Sequence, residues 1–157
     1  MKKLCSFVII LVLLFVSGCS SLNENAASYI KDTVAYKEGD SALVVYFILA
    51  DASGVMTTSS GKVYLTISES HSEWSGSDFV ETNVELYSVS FNVVKTDFQK
   101  TKVGTAAFEH VVILCSFGRI TYSSFTRKPS EMTGKVKIEF HPDGAGSVLT
   151  GSSTVIF

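Results

Sequence analysis

The chain is poor in the residues that usually declare a chemistry. Of 157 residues, three are cysteine, two are proline and one is tryptophan. With prolines only at Pro129 and Pro142, long stretches are free to form uninterrupted hydrogen-bonded ladders. No apolar run reaches the ~20 residues that a bilayer-spanning helix needs, and the longest N-terminal one, Leu4 to Val16, stops well short of that. There is no Gly-x-Ser-x-Gly elbow and no phosphate-cradling glycine loop. The 15 acidic residues are scattered, without the pairing that glycoside hydrolysis would require. Metal-ligand spacing is missing too. On a regular strand His110 and Cys115 fall on opposite faces, His141 alternates with charged residues, and His71 has only Glu73 beside it. These absences predict no catalytic residue, no metal site and a protein that is not an enzyme.

What is present begins at the N-terminus. Met1-Lys2-Lys3 precedes the apolar stretch, which ends in Val16-Ser17-Gly18-Cys19. This resembles a bacterial-type lipoprotein signal with its lipobox. The resemblance implies removal of residues 1–18 by cleavage between Gly18 and Cys19. It also implies a covalent diacylglycerol or acyl lipid on Cys19 as the only attached group, with no other cofactor. The implied location is extracytoplasmic and lipid-anchored: the outer membrane in a Gram-negative cell, with Ser20 compatible with that sorting, and the cell surface otherwise. Two or more acyl chains are needed for stable anchoring, since each buried methylene contributes ~0.8 kcal/mol.

Cleavage would change the remaining composition. Loss of Lys2 and Lys3 leaves 11 basic against 15 acidic side chains, a net charge near −4. A mildly acidic chain without a basic stripe excludes nucleic acid as a partner. Arg127-Lys128, the longest basic grouping, is expected in a solvated loop. Cys115 would be the sole remaining thiol, which rules out an intrachain disulfide. Lying in Val111-Val112-Ile113-Leu114-Cys115, it is expected to be a small core hydrophobe.

The organisation expected is a signal over 1–18, a lipidated cysteine and tether over 19–37, and one domain over 38–157. Residues 26–36 fit a short helix or a first strand equally well. From Asp40 onward the hydrophobic period is two. Ser41 to Ala50 and Phe108 to Phe117 are apolar on both faces, as buried central strands are, or strands that face a partner. Lys62 to Ser68, Leu86 to Lys95 and Lys135 to His141 alternate, with Val63, Leu65 and Ile67, then Tyr87, Val89, Phe91 and Val93, then Val136, Ile138 and Phe140 facing inward. A short strand at Ile120 to Phe125 and a last one over Val148 to Phe157 complete the set. Asp51 and Asp40 lie in turns, where an aspartate usually satisfies backbone amides and only occasionally helps bind calcium.

About seven antiparallel strands with polar turns predict an all-β sandwich. Leu49 to Gly54, Gly61 to Ile67 and Gly134 to Phe140 resemble strands of immunoglobulin-like or fibronectin-III-like modules, although the immunoglobulin cysteine pair is absent. The resemblance implies a single immunoglobulin-like sandwich acting as a binding or structural module of the cell envelope, with an unknown envelope protein or ligand as partner. Ser68 to Asp78 reads as a long polar loop and the best candidate recognition surface, with His71 and Trp74. The competing reading folds Trp74 back over the sandwich edge. Phe117 to Tyr122 is a second candidate, or simply a hairpin between core strands. An alternative function is a carrier for a small apolar or glycan ligand, with a cleft lined by Tyr46, Tyr64 or Phe108. A metal or redox role for Cys115 with a histidine ranks third.

Overall fold

The computed structural model describes residues 26–103, 110–144 and 146–157. The lipobox, Gly18, Cys19 and Phe108 lie outside these. Among these residues nine strands form two antiparallel sheets. The first sheet contains β1 (Tyr29–Glu38), β2 (Ala42–Ala50), β3 (Met56–Thr57), β6 (Phe98–Val103) and β7 (His110–Thr121) in the order β1-β2-β7-β6, with β3 paired to the end of β2. The second contains β4 (Gly61–Ser75), β5 (Asp78–Val93), β8 (Thr133–Pro142) and β9 (Leu149–Ile156) in the order β5-β4-β8-β9. The expected all-β sandwich is present. Among the described residues no helix is long and apolar enough to cross a membrane.

The core follows from the period-two pattern. Leu43, Val45, Phe47 and Leu49 of β2 face Val63, Leu65 and Ile67 of β4 and Val136, Ile138 and Phe140 of β8, all fully buried. Phe47 joins the layers, its ring 5.7 Å from those of Phe98 and Phe117 and 6.0 Å from Phe140. At ~25 cal/mol per Å² of apolar surface removed from water, such burial is the main stabilising term for a domain with no disulfide among its described residues. One flank is closed by β1 against β9. A Cβ on Gly151 would lie 2.4 Å from Thr33 Oγ1 and 2.7 Å from Ile30 Cγ2, so only glycine permits that approach.

Several boundaries differ from the sequence reading. Residues 29–37, assigned to the tether, pair with β2 almost throughout, so the sandwich begins by Tyr29. Phe108 to Phe117 and Ile120 to Phe125 are not two strands: β7 runs to Thr121 and a short 3-10 turn follows. Gly118, at φ +68°, allows a bulge opposite Val45. The extra residue shifts the alternation, so Phe117 packs against the core and Ile120 is buried in it. No hairpin forms there, and Arg119 pairs with Glu38 at 2.8 Å. Pro142 is the last residue of β8 rather than a loop residue. β6, with two lysines in six residues, is an edge strand that its sequence did not announce.

Candidate functional site

The largest departure is at Ser68 to Asp78, which is not a loop. β4 runs on to Ser75, turns through Gly76-Ser77 and returns as β5, with Ser70 to Ser75 paired to Asn83 to Asp78. Gly76 at φ +68° is the first residue of a two-residue turn, as a II′ hairpin requires. The β8 partner of β4 ends at Glu69↔Gly134. Beyond that point the hairpin is a two-stranded ribbon projecting past the sandwich.

The ribbon's two faces follow from the alternation. Trp74 and Phe79 are direct cross-strand partners at the tip, their rings edge-to-face with centroids 5.5 Å apart. Trp74 is 73% exposed and Phe79 58%. Trp74 therefore does not fold back over the sandwich edge. On the same face lie Ser72 with Glu81 and Ser70 with Asn83, the latter pair joined by a 2.9 Å hydrogen bond. From Val63 to Val94 there is no lysine or arginine, against five acidic residues.

His71 has a different role from Trp74. It stands at the ribbon's base, in a clasp that sequence reasoning missed. Glu69 occupies the inward row after Val63, Leu65 and Ile67, and its side chain is fully buried. Its carboxylate accepts hydrogen bonds from Ser130 N at 2.8 Å, Glu131 N at 3.3 Å and Ser130 Oγ at 3.1 Å. The Arg127 guanidinium also donates to it, and His71 Nε2 lies 2.9 Å from it. His71 Nδ1 is 3.2 Å from Glu131 Oε1. Burial alone would push the Glu69 carboxyl up, but the hydrogen bonds from Ser130, His71 and Glu131 hold it down at about 2. Arg127, expected in a solvated loop, thus ties the β7–β8 connection to the hairpin base. An acid in an inward row was the available signal, since a buried charge must be paired.

The two outer faces of the sandwich differ. On the first sheet, Tyr46, Ile48, Met56 and Val112 line a groove of about 500 Å³, edged by Lys31, Asp32 and His110. Burial, Asp32 and Tyr36 all push the Tyr46 phenol up. On the second sheet, a cleft of about 490 Å³ runs between the ribbon and the β8–β9 edge, with Ser72, Glu81, Thr133, Lys135, Ser152 and Thr154 among its lining residues. Tyr64 is on this face but outside that cleft, its ring 4.9 Å from that of His141.

The remaining sites are structural in their surroundings. Cys115 is a buried free thiol, pushed up to about 11 by burial and by the charge of Asp97. His110 is exposed on the opposite face of β7, as the spacing predicted. Asp51 Oδ1 accepts hydrogen bonds from Ser53 N, Ser53 Oγ and Val55 N, which accounts for it as a turn residue. Among the described residues no three His, Cys, Asp or Glu side chains gather as a metal site would require. No protein-family model, no curated protein and no solved structure matches the chain.

Proposed function

We propose that this protein is a lipid-anchored extracytoplasmic β-sandwich, not an enzyme, that uses the β4–β5 ribbon to bind another component of the cell envelope. The lipobox over Val16 to Cys19 supports the anchor. The observation that carries the binding role is the exposed Trp74–Phe79 pair on a ribbon that contributes nothing to the core. Exposed tryptophan and phenylalanine are costly to leave in water, and tryptophan is enriched in binding hot spots.

Topology supports this reading as well. The described chain begins at Ala26, and β1 starts beside Ala50 and Gly54. Ser60 bonds Asp143 at that same end, where β4 begins. The ribbon leaves from the other end, where Tyr122 bonds Ser41 and Thr126 bonds Leu86. An anchor at Cys19, seven residues before Ala26 and within ~25 Å of it, would direct the tip away from the membrane. The ribbon's acidic charge disfavours insertion into an anionic bilayer.

The experiment has two arms. Metabolic labelling with a fatty-acid analogue should mark the wild type and not Cys19→Ala. A photo-crosslinking residue at position 79 should give a discrete envelope adduct that Trp74→Ala removes, whereas one at position 36 should not. Unlabelled protein sinks the anchor, and identical adducts from both positions sink the ribbon. The groove lined by Tyr46, Ile48 and Met56 favours a second reading, a carrier for a small apolar ligand. In that case Ile48→Lys, rather than Trp74→Ala, would abolish function.

A further inference from the structure

We infer that the cleft beside the ribbon is a saccharide-binding site, with Trp74 and Phe79 as its stacking platform. This names the ligand class and rests on the ribbon being a binding element. Three observations converge on it. The cleft is about 490 Å³, within the ~300–1,000 Å³ of sites that hold small ligands. Every lining residue but Gly134 has a hydrogen-bonding side chain, with the Ser72, Thr133, Ser152 and Thr154 hydroxyls drawn from β4, β8 and β9. Hydroxyls both donate and accept, which is what a polyhydroxylated ligand requires of its site. Finally, the aromatic pair is the next cross-strand pair beyond Ser72 and Glu81 on the same face.

The charges fit a neutral or weakly charged sugar. Glu81 and Lys135 supply one carboxylate and one ammonium, and neither side chain makes a hydrogen bond or ion pair among the described residues. Glu81 can accept from adjacent sugar hydroxyls while Lys135 donates to ring or acyl oxygens. The C–H faces of a pyranose are apolar and weakly positive, so they pack on the electron-rich face of an indole. A fatty acid would find no aliphatic or aromatic side chain lining the cleft, and nucleic acid would meet an acidic ribbon.

Because Trp74 is the only tryptophan, its emission reads the site directly. The full-length mature protein would be titrated with the β-1,4-linked N-acetylglucosamine hexamer and, separately, with cellohexaose and maltohexaose. A saturable blue shift and intensity change with at least one oligomer is expected. The three arms separate an N-acetylated wall-type glycan from an unmodified glucan. The double variant Glu81→Gln, Lys135→Met should raise the dissociation constant about tenfold or more while leaving circular dichroism and Tm unchanged. Phe79→Ala should weaken binding as well.

The inference is overturned if none of the oligomers alters Trp74 emission. It is equally overturned if the response is undiminished in the Glu81, Lys135 double variant, since the cleft would then not take part. A flat titration together with a ribbon-dependent crosslink at position 79 would reject the saccharide and leave the binding ribbon intact. Failure of both would reject the ribbon itself.

Discussion

The two halves of the β4–β5 hairpin share one backbone ladder and have opposite fates. In the half from Gly61 to Glu69, β8 flanks β4 and the second layer covers its inner face, so Val63, Leu65 and Ile67 are fully buried. In the half from Ser70 to Ser75 no further strand among the described residues pairs with β4, and the largest side chain, Trp74, is 73% exposed. Backbone pairing does not separate the halves, since β4 and β5 bond in both. What separates them is whether a neighbour exists to receive a side chain. One half is therefore fixed by packing, and the other, beyond the clasp at His71, is held only by its ladder and cross-strand pairs.

The sharpest way to break this comparison is to truncate one side chain in each half. Leu65→Ala should cost about 2–5 kcal/mol, because it opens a cavity between two packed layers. Trp74→Ala should change global stability by no more than ~0.5 kcal/mol, because no core atom loses a contact. Urea denaturation of both variants checks this. Equal losses would mean that the ribbon tip is part of the cooperative core.

Glu69 marks the boundary, and its removal is the next largest effect. Glu69→Gln keeps the shape but presents an amide to the Ser130 and Glu131 N–H donors and removes the charge facing Arg127. A cost of about 2–3 kcal/mol is expected for leaving such buried donors poorly paired. The pH dependence provides an independent reading. The Glu69 carboxyl is held at about 2 in the folded protein, against 4.5 ordinarily. Its contribution is therefore complete above pH 4.5 and lost as pH falls from there through 2. Denaturation midpoints of the wild type should fall across that window, and the fall should be smaller in Glu69→Gln. Parallel pH profiles would mean that the clasp does not hold the hairpin base.

Much of the packed half was legible in the sequence and little of the free half was. Lys62 to Ser68 alternates because one face is buried, and burial is what writes a period-two pattern. From Ser70 to Asn83 both ribbon faces meet water, so serine, glutamate and threonine are tolerated throughout and the segment reads as a loop. The same reason hides β6, whose Lys100 and Lys102 suit an edge. The β7 bulge was misread because a glycine inside a strand looks like a turn until its pairing is seen. Half of the clasp could have been anticipated, since Glu69 continues the row of Val63, Leu65 and Ile67. Its partners Arg127 and Ser130 lie about 60 residues away, and no local pattern links them to it.

The smallest effect tests what holds the free half together. If the ribbon has no core, the Trp74–Phe79 contact should stabilise only the ribbon, by ~0.2–1 kcal/mol as cross-strand aromatic pairs do. A double-mutant cycle with Trp74→Ala, Phe79→Ala and the pair isolates that coupling. The readout must be local, because global unfolding starts from the sandwich. Hydrogen exchange at the Glu73 and Val80 amides, which bond each other across the ribbon next to the aromatic pair, should accelerate in each single variant, and no further in the double variant than the lost coupling allows. Amides of Val63, Leu65 and Ile138 should keep their protection. Acceleration reaching Leu65 would join the two halves into one cooperative unit. Acceleration confined to the ribbon would mean that Trp74 and Phe79 can be altered for binding without disturbing the scaffold that presents them.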